Sequence, residues 1–272
     1  MAEPRRIIDI AADYRAARDA GEHAAMARFQ NEEACLVLLA VLERLAADPA
    51  SFLHQVALKG GILMAGELRS PRSSADIDAT AGRQRRVDAE QVIREVREAG
   101  REFNVRAFGP VDRTTGGEIV HLRFDSLTDG GTAKIEVSIR EDLVFAVRGA
   151  FFDVSDLGLA PFTVPAVAEV ELVSEKIRTL VQRAQPRDLF DLHLYLTDSG
   201  WHLDPRELRL AVDAKLQTTR VKRWRSGLWK AHLDETERTW EPTLREWIEP
   251  SRIPDFAETV RVVEARLRAL GL

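Results

Sequence analysis

The chain predicts an α+β protein in which a small mixed sheet flanked by helices is followed by a helical C-terminal domain. Three patterns carry this. Residues 22–47 place Cys35, Leu36, Leu39, Val41, Leu42 and Leu45 at helical spacing. Residues 119–126 and 133–141 alternate apolar and polar side chains on either side of an Asp-Gly-Gly turn. From Pro165 to the end the spacing is almost wholly helical.

Taken in order, the elements begin with a helix over roughly 4–20 and a long one over 22–47. "QVALKGG" (55–61) reads as a buried strand entering a glycine turn, residues 61–69 as a helix, and "ADIDATA" (75–81) as a strand. A helix over 87–99 starts near Asp88, a capping residue, and "NVRAF" (104–108) is a short strand. In the two strongest strands Val120, Leu122 and Phe124 alternate with His121, Arg123 and Asp125. Ile135, Val137 and Ile139 alternate with Lys134, Glu136, Ser138 and Arg140. Each strand therefore has one core face and one polar face. The division expected is 1–160 for the α/β domain with its N-terminal helices and 161–272 for the helical domain.

At 272 residues and 45% hydrophobic, the chain can bury a substantial core. A net charge of −5 excludes nucleic-acid binding by the molecule's overall charge, though not by a local basic patch. The single cysteine, Cys35, offers neither a disulfide nor a metal cluster and reads as a small buried hydrophobe, which fits a reducing, cytoplasmic setting. The N-terminus carries acids and lacks the apolar core of a signal peptide, and "CLVLLAVL" is too short to span a membrane. A soluble protein without membrane contact is expected.

The chemistry concentrates in "KGGILMAGELRSPRSSADID" (59–78). Side chains two apart on a strand share a face, so Asp76 and Asp78 project together while Ile77 turns to the core. Glu136 can join them if its strand is a neighbour. Three close carboxylates call for cations, and hard oxygen ligands suit Mg²⁺, which also binds nucleotide phosphates. Gly60 and Gly61 allow backbone N–H groups to approach phosphate oxygens, and Lys59, Arg69 and Arg72 can add charge. Asp-x-Asp alone is common and is usually just solvated or part of a turn.

The combination is more specific. "LKGGILMAGELRSPRSSADID", then "KIEVSIRE", then "SEKIRTLVQRAQPRDLFDL" resembles the AbiEii/AbiGii-type nucleotidyltransferase toxins of the DNA polymerase-β-like superfamily, over about residues 50–200. The resemblance implies a polymerase-β-like core, with the helical domain contributing to the active-site cleft. Gly60 and Gly61 then match the phosphate-cradling turn, Asp76 and Asp78 the metal pair, and Glu136 the third acid. Lys176 becomes a phosphate-neutralising lysine and Asp188 the acid that orients it or the substrate. Superfamily members often carry Gly-Ser at the turn; here Ser73 or Ser74 is left to supply the hydroxyl. Implied as well are Mg²⁺ or Mn²⁺, an NTP substrate, an RNA acceptor such as the tRNA 3′ end, and an antitoxin partner.

The helical segments also have a plain structural reading. Val170, Val173, Ile177, Leu180, Val181 and Ala184 form an apolar stripe bordered by Lys176 and Arg183. Asp188 suits the first turn of a helix begun by Pro186, and Arg187 and Asp191 make an i,i+4 pair. Residues 214–232 hold Lys215, Arg220, Lys222, Arg223, Arg225 and Lys230 with no acid, interleaved by Trp224 and Trp229. That is either an RNA-tracking patch with stacking platforms or a solvated helix whose tryptophans face the core. The alternatives to RNA transfer are nucleotidylation or phosphorylation of a protein or of the chain itself, with Ser73 and Ser74 near the triphosphate, and a non-catalytic nucleotide- or RNA-binding module.

Overall fold

The two N-terminal helical patterns form α1 (Ile7–Ala20) and α2 (His23–Ala47), separated by Gly21, whose φ of 72° ends α1 in the left-handed manner. This computed structural model describes residues 6–82, 87–114, 116–139, 143–183, 185–197, 200–217 and 219–272. The expected helix start before Arg6, strand residues Arg140 and Glu141, Ala184 of the apolar stripe and Thr218 of the basic stretch lie outside them. The chain divides into two units: residues Met1–Asp142 with Val147–Ala166, and Leu143–Ala146 with Val167–Leu272.

In the first unit α2 is buried on every side from Glu33 to Leu42, because it packs against α1, α4 (Ala89–Ala99) and the sheet. Cys35 lies in this stretch, and burial pushes its thiol up to about 11. Glu33 is the exception to an apolar surface. Only 1% exposed, its carboxylate accepts the backbone N–H of Leu127 at 2.7 Å and the hydroxyls of Ser126 and Thr128. A buried charge satisfied in this way ties the Asp-Gly-Gly turn to α2. Asp88 caps α4 as its sequence position predicts, accepting the N–H of Glu90 at 3.0 Å.

The sheet runs β3 (Arg106–Ala107), β5 (Gly117–Arg123), β6 (Thr132–Ser138), β2 (Asp76–Thr80), β1 (Ala57–Lys59), β8 (Phe162–Ala166), β7 (Arg148–Phe152), with β4 (Asp112–Thr114) paired to β5. It is mixed, as expected: β2–β6 and β1–β8 are parallel and the other pairs antiparallel. It is also larger than the pattern predicts. "RGAFF" and "FTVPA" are short and carry the strand breakers Gly149 and Pro165, so they gave no strand signal. The open side of β1 and their own antiparallel pairing make them strands. Helix α3 (Gly61–Gly66) follows β1 directly and ends three residues short of the expected 69. Leu58, Ile77, Ala79, Val120, Leu122, Ile135 and Val137 bury one face of the sheet, which leaves the alternate residues on the other.

The second unit is helical: α5 (Glu169–Gln182), α6 (Pro186–Thr197), α7 (Pro205–Leu216), α8 (Leu233–Leu244) and α9 (Phe256–Ala269). Val170, Val173, Ile177 and Leu180 bury the predicted stripe of α5. Trp240 is buried against Phe256, ring centroids 5.5 Å apart, and donates its indole N–H to the carbonyl of Pro254. Residues 143–146 are tied into this unit by Glu171, which accepts the N–H groups of Val144 and Phe145 at 2.6 and 3.2 Å.

Candidate active site

Parallel pairing of β2 with β6 sets Asp78 directly opposite Glu136 and Asp76 opposite Lys134. Directly opposed residues share a face, so three carboxylates and one ammonium from two strands converge on the polar side of the sheet. Antiparallel pairing with β1 adds Lys59 opposite Asp78. Lys134 Nζ lies 3.6 Å from Asp76 and 3.6 Å from Glu136. Burial, then the charge of Asp76, pushes the Asp78 carboxyl above the usual aspartate range, against the pull of Lys59 and Lys134. For Lys134, burial alone would lower the ammonium, but Asp76, Asp78 and Glu136 outweigh it and hold it up.

The glycine turn is shaped around these acids. Gly60 has φ 75° and ψ −155°, a conformation that side chains other than glycine's avoid, and a Cβ there would stand 2.4 Å from Asp78 Oδ2. At Gly61 a Cβ would meet Ser74 Oγ and Arg72 Nη2, each at 2.6 Å. This is why a serine is missing from the turn: its place is filled by the Ser74 hydroxyl and the Arg72 guanidinium, both buried. Ser74 Oγ donates to the carbonyl of Asp76 at 3.2 Å. Ser73 Oγ is buried and makes no hydrogen bond among the described residues. Such a hydroxyl has hydrogen-bonding capacity left to give to a ligand or water. Arg69 does not contribute charge here as expected, because its guanidinium is taken by Asp156 and the carbonyl of Asp153.

These features suit a divalent cation with its nucleotide. The donors are hard carboxylate oxygens on adjacent strands, burial makes the ionised Asp78 costly without further positive charge, and glycine lets the turn lie close against its carboxylate. Among the described residues no three acid, imidazole or thiol groups converge as a finished metal cage. Two of the three acids are instead engaged by Lys134.

In the second unit, Lys176 of α5 contacts Asp188 at 3.1 Å and Asp191 at 2.7 Å, both from α6 and almost fully buried. Arg183 reaches the other oxygen of Asp188 at 2.9 Å. Burial opposes ionisation of Asp188, but Lys176 and then Arg183 overcome it and hold the carboxyl below the aspartate range. Of the two residues expected as an i,i+4 pair, Asp191 binds Lys176, and Arg187 lies over the Trp247 ring at 4.4 Å.

Beyond Leu216 the described residues of the basic stretch form no α-helix; they run through turns and a single 3-10 turn at Leu228–Lys230. Trp224 and Trp229 are 6% and 3% exposed, so they pack inward and are not stacking platforms. Lys215 is buried on Glu171, and Lys230 binds Glu264 at 2.6 Å. Arg220, Lys222, Arg223 and Arg225 remain exposed, and Lys222 donates to the carbonyl of Gln217. Among the described residues Arg220, Arg223 and Arg225 form no ion pair. Arginines on helices nearby do: Arg209 with Asp213, Arg245 with Glu241, Arg261 with Glu258 and Arg268 with Glu264.

The sequence reading passed over two residues of these clusters. Lys134 is two positions before Glu136 on an alternating strand, so its place on the acidic face was legible. For Asp191 the pattern offers only an i,i+4 pair with Arg187, since burial of its side chain depends on how α6 packs.

A family model described as nucleotidyl transferase AbiEii toxin, type IV toxin–antitoxin system, matches residues 41–261. The fold is similar to MenT4, a nucleotidyltransferase toxin from Mycobacterium tuberculosis H37Rv, with a TM-score of 0.62 and 20% identity over 97% of this chain and 89% of that one. It is also similar to JHP933 from Helicobacter pylori, with a TM-score of 0.52 and 16% identity over 86% and 88% of the two chains. No curated protein matches.

Proposed function

The chain belongs to the AbiEii family of nucleotidyltransferase toxins of type IV toxin–antitoxin systems, and from that membership we propose that it transfers a nucleoside monophosphate from an NTP to an RNA hydroxyl such as the tRNA 3′ end. The observation that carries the site assignment is the β2–β6 register, which brings Asp76, Asp78 and Glu136 onto one face. These three would hold Mg²⁺ or Mn²⁺. A divalent ion there supplies the positive charge that lets an oxygen attack phosphorus and a pyrophosphate depart.

The protein's own groups do the rest. Gly60 and Gly61 would let the backbone approach the triphosphate closely, and Ser73, whose hydroxyl has no hydrogen-bond partner among the described residues, is our candidate donor to a phosphate oxygen. Ser74 is read as a support, since its hydroxyl is spent on Asp76. Lys59 balances charge beside Asp78. From the second unit, Lys176 is assigned to nucleotide phosphate, with Asp188 and Asp191 fixing its ammonium. The acceptor hydroxyl oxygen would form a bond to the α-phosphorus, its proton passing to solvent, as the bond to the bridging oxygen of the β-phosphate breaks and pyrophosphate leaves. Positioning and charge neutralisation provide most of the rate.

For the acceptor, Arg220, Lys222, Arg223 and Arg225, with Lys230 at the edge, form the candidate RNA-binding surface. Because the tryptophans are buried, contact there is with phosphates and independent of base identity. Arg223→Glu/Arg225→Glu is expected to weaken RNA binding about ten-fold or more at moderate salt and to flatten its salt dependence, with NTP affinity unchanged. Equal RNA affinity in variant and parent removes the surface from the mechanism.

The reaction itself is tested with total RNA and each α-labelled NTP in Mg²⁺ or EDTA. Mg²⁺-dependent label in RNA is expected, and its size class identifies the acceptor. Label in the protein alone supports self-modification instead, and NTP binding without any label supports a binding module. Family membership brings with it a nucleotide substrate and an antitoxin partner. Among the described residues no helix is long and apolar enough to cross a membrane, in keeping with the proposed cytoplasmic site of action.

A further inference from the structure

Lys134 stands where a metal-binding face would be expected to hold only acids. It is cross-strand from Asp76, two residues from Glu136 on the same face, and its ammonium is equidistant from both carboxylates at 3.6 Å. The side chain is 33% exposed, so a long flexible stem can carry its head away from the acids into solvent or onto a ligand. On the next strand His121, opposite Lys134, is bonded to Asp112 at 2.9 Å and does not compete for this position. On the other flank Lys59 lies opposite Asp78, while Lys134 is within 4 Å of both Asp76 and Glu136.

We propose that Lys134 is a built-in counter-ion, holding Asp76 and Glu136 together until metal and nucleotide arrive, and that metal loading is an exchange in which its ammonium leaves the carboxylates for the nucleotide's phosphates. This rests on the metal-site reading given above. A singly and a doubly charged cation repel strongly if both lie within reach of the same two carboxylates, so a metal ion alone must displace the lysine. An incoming triphosphate offers the lysine a new anionic partner and makes the exchange easier. Metal and nucleotide then bind with positive coupling, each tightening the other by the same factor. The consequence is a site whose negative charge is partly offset, and whose hold on free metal is weak, when nucleotide is scarce.

The test is Mn²⁺ binding, followed by the electron paramagnetic resonance of the free ion, with and without an α,β-methylene NTP that cannot react. The parent is expected to bind Mn²⁺ weakly alone and more tightly with nucleotide. Lys134→Gln should bind Mn²⁺ alone about ten-fold more tightly and lose most of the gain from nucleotide, because no ammonium has to move. Lys134→Arg keeps the charge and should behave like the parent; Lys134→Met replaces the glutamine variant if that one does not fold. An ordinary cross-strand ion pair predicts no rise in metal affinity, so a Kd for Mn²⁺ alone within two-fold of the parent in the neutral variants overturns the proposal. If Mn²⁺ binds the parent and Asp78→Asn abolishes that binding, the metal site stands even when the counter-ion fails. If Mn²⁺ binds neither parent nor variant at any nucleotide concentration, both fall.

Discussion

Asp78→Asn is expected to lower nucleotide transfer by about 10²–10³-fold while leaving the metal-free protein at least as stable as the parent. The two halves of this outcome have one cause. Burial and the neighbouring Asp76 raise the Asp78 carboxyl in the folded state, so its ionised form opposes folding. The native state binds the proton more tightly than the unfolded chain does. Stability therefore falls as pH rises from the unfolded toward the folded pKa, and the ionised group remains a cost above it. Asparagine has the same shape without the charge, so the variant should lose that pH dependence. Added Mg²⁺ should reverse the order, stabilising the parent and not the variant. Thermal melts at acid and neutral pH, with and without Mg²⁺, beside the labelled-transfer assay, measure all of this. A variant that melts several degrees lower without metal, or that keeps full transfer, would show that Asp78 is a structural acid.

Lys215→Ala is expected to cost about 3–5 kcal/mol, a large part of the stability of an ordinary domain. Lys215 lies 3.0 Å from Glu171, and the side chains are 8% and 1% exposed. Removing the lysine leaves a buried carboxylate without its cation, although the N–H groups of Val144 and Phe145 still donate to it. All five tryptophans, at 201, 224, 229, 240 and 247, belong to the second unit, so their fluorescence in a urea titration reports its unfolding directly. Adding Glu171→Gln should restore most of the loss, since the amide oxygen can accept the same N–H groups without carrying charge. A loss under about 1 kcal/mol for Lys215→Ala would mean that water reaches Glu171 once the lysine is gone.

Local pattern made much of the site legible. The alternation in "ADIDATA" and "KIEVSIRE" turns Asp76, Asp78, Lys134 and Glu136 away from the core, and Asp88 announces α4. The basic stretch shows the limit. Its cations were visible as composition, but the inward turn of Trp224 and Trp229 depends on a chain path with no periodic signature. Strands β7 and β8 were missed for a similar reason: Gly149 and Pro165 weaken local strand preference, and only pairing with each other and with β1 overrides it.

By itself, then, the sequence determined which residues face the core, which acids share a strand face, and the family to which their order belongs. These follow from side-chain period and chemistry, properties of neighbours along the chain. Tertiary structure alone decided the parallel register that sets Asp78 beside Glu136, the crowding of Ser74 and Arg72 around Gly61, and the capture of Asp76 and Glu136 by Lys134. Each depends on segments apart in the chain meeting in space, which no local periodicity encodes.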